Sequence, residues 1–83
     1  MKPQKASYSL VVTYNGFDSD FDRLIEATAR RESSGSGCGF AQRDIDFEFA
    51  TERGAQNTAK RLRKIKGARK NNLKTHVAKY TEL

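Results

Sequence analysis

Eighty-three residues, 36% of them hydrophobic and with a net charge of +6, amount to a single small domain, residues 1–83, in which every core position counts. A chain of this size buries only about 60–65% of its unfolded surface, so modest stability is expected. One cysteine, Cys38, excludes an internal disulfide, and no apolar stretch is long enough for a signal peptide or a membrane span, so the expectation is a soluble, cytoplasmic protein in a reducing setting.

Residues 1–6 are polar, hold the only proline, and read as a loose start. Residues 7–14 (S-Y-S-L-V-V-T-Y) are β-branched and aromatic, a strand with Tyr8, Leu10, Val12 and Tyr14 on one face. Asn15-Gly16 breaks it. In residues 17–31, Phe17, Phe21, Leu24, Ile25 and Thr28 share one arc of a helical wheel, which predicts a core-facing helix. Asp18, Ser19, Asp20 and Asp22 crowd its first turn, where exposed amides favour anionic oxygens, and Arg30 and Arg31 stand at the opposite end of the dipole.

The glycine-rich residues 32–39 end that helix, and 37–41 can form a short edge strand in a hairpin. Its partner is residues 43–49 (R-D-I-D-F-E-F), the sharpest two-faced pattern in the chain: Ile45, Phe47 and Phe49 inward, Asp44, Asp46 and Glu48 outward. A second helix starts at Thr51 or Glu52, buries Ala55, Thr58, Ala59, Leu62 and Ile65, and ends at Gly67. After a turn at Asn71-Asn72, residues 73–81 form the last strand, with Leu73, Thr75 and Val77 on one side. The order strand, helix, short strand, strand, helix, strand predicts an α+β fold: a ferredoxin-like βαββαβ sandwich, an antiparallel sheet with two helices on one face.

Three segments invite an enzymatic reading, and each lacks a part. Asp18-Ser19-Asp20-Phe21-Asp22 opens like a calcium loop, but that loop needs glycine and glutamate where this chain has Arg23 and Ala29. Gly35-Ser36-Gly37-Cys38-Gly39 leaves a helix and enters a strand, the reverse of a phosphate loop. Asp44, Asp46 and Glu48 lie about 7 Å apart along one strand face, too far for one ion without further ligands. Cys38 and His76 make no metal set. The expectation is no catalytic residue, no metal and no cofactor.

Charge is unevenly distributed. Residues 1–52 hold six basic and nine acidic side chains, whereas 53–83 hold ten basic and one acidic, Glu82. Seven basic residues fall within the eleven positions 60–70. Arg53, Lys60, Arg61, Arg63, Lys64, Lys66, Arg69 and Lys70 are therefore the candidate contacts to an anionic partner, with Gln56 and Asn57 adding neutral hydrogen-bonding groups. The expectation is a non-enzymatic binding module that docks its basic second helix on nucleic acid or a nucleoprotein complex, meeting phosphates without reading sequence; an acidic protein surface is the other anionic partner such a face can meet. A solvated face that keeps the protein soluble is the alternative, weakened because no acid lies between Arg53 and Thr81. No aromatic interleaves the cluster, which argues against stacking on single strands.

Three resemblances bear on function. Val11-Val12-Thr13-Tyr14-Asn15 before a helix resembles the first strand of the small ferredoxin-like CRISPR-associated adaptor nucleases. Those carry an aspartate where this chain has Asn15, so the match implies no catalysis. The element order resembles the RNA-recognition motif, whose open sheet face stacks bases on aromatics. Here Asp44 and Asp46 fall at the stacking positions, which implies a sheet face closed to RNA. In size and lack of a catalytic set, the chain also resembles bacteriophage accessory proteins, including anti-CRISPR inhibitors. That likeness implies contact with a nucleoprotein complex such as a CRISPR effector, through the basic helix or through the sheet face at Val11, Asp44, Asp46, His76 and Tyr80. A third and separate reading is an enzyme, a metal-dependent nuclease using Asp44, Asp46 or Asp18, and homodimerisation through the sheet face is compatible with any of the three.

Overall fold

A computed structural model describes residues 6–39 and 41–81. The first strand, β1 (Ala6–Asn15), leads into helix α1 (Ser19–Ala29), then strands β2 (Gly35–Gly39) and β3 (Gln42–Phe49). Helix α2 (Glu52–Leu62) and strand β4 (Lys74–Thr81) complete the set. The strands form one antiparallel sheet in the order β2-β3-β1-β4.

Alternation along β1 and β3 decides which sheet face becomes the interior. Leu10 lies across from Phe47 and Val12 across from Ile45, while Tyr8 pairs with Phe49. These apolar rows meet Phe21, Ile25 and Ala29 of α1 and Ala55, Ala59 and Leu62 of α2 in a single cluster. Both helices thus cover the same face, and the other face is uncovered by any described element. Alanines at 55 and 59 bring α2 close to the strands. Val77 and Leu73 seal the core from the β4 side.

Both helix starts follow from their capping residues. Asp18 accepts the amides of Asp20 and Phe21 at 3.0 and 3.2 Å, and Thr51 accepts that of Gly54 at 3.1 Å. The α1 stop is less conventional: Arg30 takes a left-handed conformation (φ 60°), and its amide meets the carbonyls of Glu26 and Ala27.

The structure corrects four expectations. Phe17 is not a core residue: it precedes the Asp18 cap, lies off the helical wheel, and is 62% exposed with its ring 4.9 Å from the Arg43 guanidinium. Leu24, on the rim of the α1 arc, is 39% exposed. The short strand runs Gly35–Gly39 rather than 37–41, because Ala41 adopts the left-handed conformation (φ 61°) of a turn residue. Helix α2 stops at Leu62, not Gly67. Beyond it, like charges recur at three- and four-residue spacings (Lys60–Arg63, Lys60–Lys64, Arg63–Lys66), which disfavours another helical turn. The chain continues in tight turns, such as Ile65 N–H to the Leu62 carbonyl (3.4 Å) and Asn71 N–H to the Gly67 carbonyl (2.9 Å). Gly67 has φ +91°, and a side chain there would stand 3.4 Å from the Phe21 ring. The expected loose start, apart from Ala6, lies outside the described residues.

Candidate anion-binding surface

Burial of Ala55, Thr58, Ala59 and Leu62 fixes the rotation of α2, so its remaining positions must face solvent. Arg53, Gln56, Asn57, Lys60 and Arg61 are all exposed, as are Arg63, Lys64, Lys66, Arg69 and Lys70 beyond the helix. The ion pairs among the described residues are Arg23–Asp20 and Arg43–Asp22, so none of the eight predicted basic contacts is neutralised by one there.

The eight do not form one stripe. Arg53 and Lys60 project from α2 itself, with Lys64 just past its end. Two arginines are tethered: Arg61 donates to the Thr58 hydroxyl (3.1 Å) and Arg63 to the Thr75 hydroxyl on β4 (2.7 Å). Lys66 and Lys70 turn away and, with Gly67 and Asn71, line an open cleft of about 440 Å³ whose other wall is Asp18, Asp20, Phe21 and Leu24 of the α1 start. Two lysines there face two carboxylates. The helical wheel missed this division because it presumed a helix running on to Gly67.

The sheet-face candidates are spread across three strands. Val11 lies between Asp46 of β3 and His76 of β4, and Thr13 between Asp44 and Lys74. Asp46 and His76 are therefore two strand spacings apart, about 10 Å, and do not act on a common atom. Tyr80 pairs through its backbone with Ser7, and its side chain lies outside the described residues. Cys38 stands on the opposite edge strand from His76, about three spacings away, which separates the one thiol from the one imidazole. Among the described residues, no group of three His, Cys, Asp or Glu is placed to hold a metal ion. No described helix is long and apolar enough to cross a membrane.

One polar cluster escaped the sequence reading. Arg43 has the same strand parity as Ile45, Phe47 and Phe49, and points to the helix side of the sheet. There its Nη2 and Nε lie 2.9 and 3.1 Å from Oδ2 of Asp22, a residue only 8% exposed on α1. The fully buried Tyr14 donates its hydroxyl to the other Asp22 oxygen and accepts the Asp18 amide at 3.1 Å. Burial, reinforced by the bond to Asp22, pushes the Tyr14 hydroxyl up to about 12. The bond to Asp22 likewise raises the Arg43 guanidinium above its ordinary value. Both signals were in the sequence: the parity of Arg43, and the position of Asp22 three residues before Ile25 on the inner helix arc. The cluster is saturated with partners and fastens α1 to the sheet.

Compared with known proteins, the chain matches no family model and no curated protein.

Proposed function

We propose that this chain is a non-enzymatic binding module, of ferredoxin-like arrangement, that applies the outer side of α2 and the turns after it to a nucleic-acid backbone. The observation that carries the reading is the concentration of exposed basic side chains on α2 and in residues 63–70, without ion-pair partners among the described residues. A cationic surface held by a packed scaffold gains affinity by releasing phosphate counterions and needs no base contact. Arg53, Lys60 and Lys64 are the principal contacts. Arg61 and Arg63 are held by threonines, Arg69 extends the surface, and Lys66 and Lys70 border the cleft. The strand order β2-β3-β1-β4, with both helices over one face, supports the ferredoxin-like reading.

The test is a salt titration of binding to a 20-base-pair duplex. Contact with three to five phosphates gives a slope of log affinity against log salt of about −3 to −5, and neutralising one contact lysine lowers its magnitude by about one. Charge reversal at Lys60 and Lys64 should abolish binding while leaving the circular dichroism spectrum intact. Salt-insensitive binding, or binding indifferent to these reversals, refutes the reading. Retention of a nucleoprotein complex after nuclease treatment, without binding to free duplex, would instead mark the chain as a protein-directed inhibitor of the anti-CRISPR kind.

A further inference from the structure

The two edges of the sheet are not equivalent. Edge strands expose a row of unpaired backbone groups, and folded proteins commonly guard them with charge, proline or a bulge. On β4 the exposed Lys74, His76 and Lys79 supply such a guard. On β2 the five residues Gly-Ser-Gly-Cys-Gly carry no charge and no proline, and among the described strands only β3 pairs with it, on one side.

Beside this bare edge, Gly35 and Gly37 pair with Asp46 and Asp44 and share their sheet face. A Cβ at Gly37 would lie 3.3 Å from both Asp44 carboxylate oxygens, and one at Gly35 would lie 3.9 Å from an Asp46 oxygen. The carboxylates therefore lean over the glycines toward the open edge. Neither forms an ion pair among the described residues.

We propose that β2 is a docking edge for an extended basic segment of a partner protein, which adds to the sheet as a fifth strand. Backbone hydrogen bonds to β2 would supply the pairing, as in strand addition generally. Lysine or arginine at alternate positions would supply the selectivity. Side chains two residues apart on the added strand fall on one face, about 7 Å apart, matching the spacing of Asp44 and Asp46. The added backbone lies about 4.8 Å beyond β2, so a basic side chain can cross the side-chain-free lane at Gly35 and Gly37 to reach these carboxylates. The same segment would be repelled from the lysines of β4 and from α2; at β2 the cations Arg31, over the Phe49 ring, and Arg43, paired with Asp22, lie on the helix face of the sheet, opposite the face that carries Asp44 and Asp46.

The test uses the full chain and a fluorescent seven-residue peptide of alternating threonine and lysine, followed by anisotropy and by amide hydrogen exchange. Saturable binding with slowed exchange at Gly35–Gly39 is expected. Asp44→Asn combined with Asp46→Asn should weaken binding at least tenfold, whereas Lys60→Gln combined with Lys64→Gln should leave it within twofold. Absence of binding would overturn the proposal, as would equal binding of the threonine–glutamate peptide. So would full retention by a peptide N-methylated at alternate amides, which cannot extend the ladder, or protection at β4 instead. Protection of Gly35–Gly39 that rises with protein concentration before peptide is added would overturn it in favour of a second copy of the chain.

Discussion

Replacing Arg43 by methionine would leave the Asp22 carboxylate under α1 without its cation. The two side chains are 17% and 12% exposed, so water replaces little of what is lost. Removing one member of a buried pair costs about 3–5 kcal/mol, and the residual exposure places this case near the lower end. Loss of the Arg43–Phe17 contact adds about 0.5 kcal/mol. Against a total of about 4–12 kcal/mol for a domain of this length, the variant forfeits upwards of about 30% of its stability. Urea unfolding should show the change as a lower midpoint with an unchanged slope, and thermal unfolding as a fall of about 15–25 °C. The companion is the triple replacement Tyr14→Phe, Asp22→Leu, Arg43→Met, which removes all three polar side chains, leaves only the Asp18 amide without its acceptor, and should return to within about 1–2 kcal/mol of the parent. A loss below about 1 kcal/mol for Arg43→Met alone would refute the reasoning.

The same cluster sets an alkaline limit. Tyr14 titrates near 12 when folded and near 10 when unfolded, so its contribution is complete below pH 10 and disappears as pH rises to 12. Two pKa units correspond to about 3 kcal/mol, and Tyr14→Phe should remove that part of the fall in a denaturation series from pH 9 to 12. Arg30→Gly relieves a left-handed cap and should raise stability by about 0.5–1 kcal/mol, read as a higher urea midpoint. Leu62→Ala empties a fully buried site at the end of α2 and should cost about 2–5 kcal/mol by the same measurement.

Strict period-two alternation made β1 and β3 legible, because Leu10, Val12, Ile45 and Phe47 have only one face on which to meet. The α2 start was legible because a threonine before an amphipathic run caps exposed amides, whereas α1 starts two residues later than its apolar pattern suggests, after the Asp18 cap. What stayed hidden depended on contacts distant in sequence. The position of Phe17 turns on where the Asp18 cap falls and on an arginine 26 residues later. The division of the basic surface depends on how residues 63–72 fold back onto Phe21. Asp22 resembled a dipole residue until Arg43 was placed across from it.

The register of β1 also governs how the chain can reach this structure. Its partners come late: Tyr8 waits for Phe49, and Ala6 for Thr81. Only the helices and the β2–β3 hairpin are local, and the hairpin holds few apolar side chains outside the β3 row. Such topology closes long loops before it recovers burial, which makes folding slower than that of a helical bundle of the same size. A nascent chain displaying β1, α1 and the hairpin still has one bare side of its central strand. That side stays open to other chains until β4 emerges from the ribosome and zips along it.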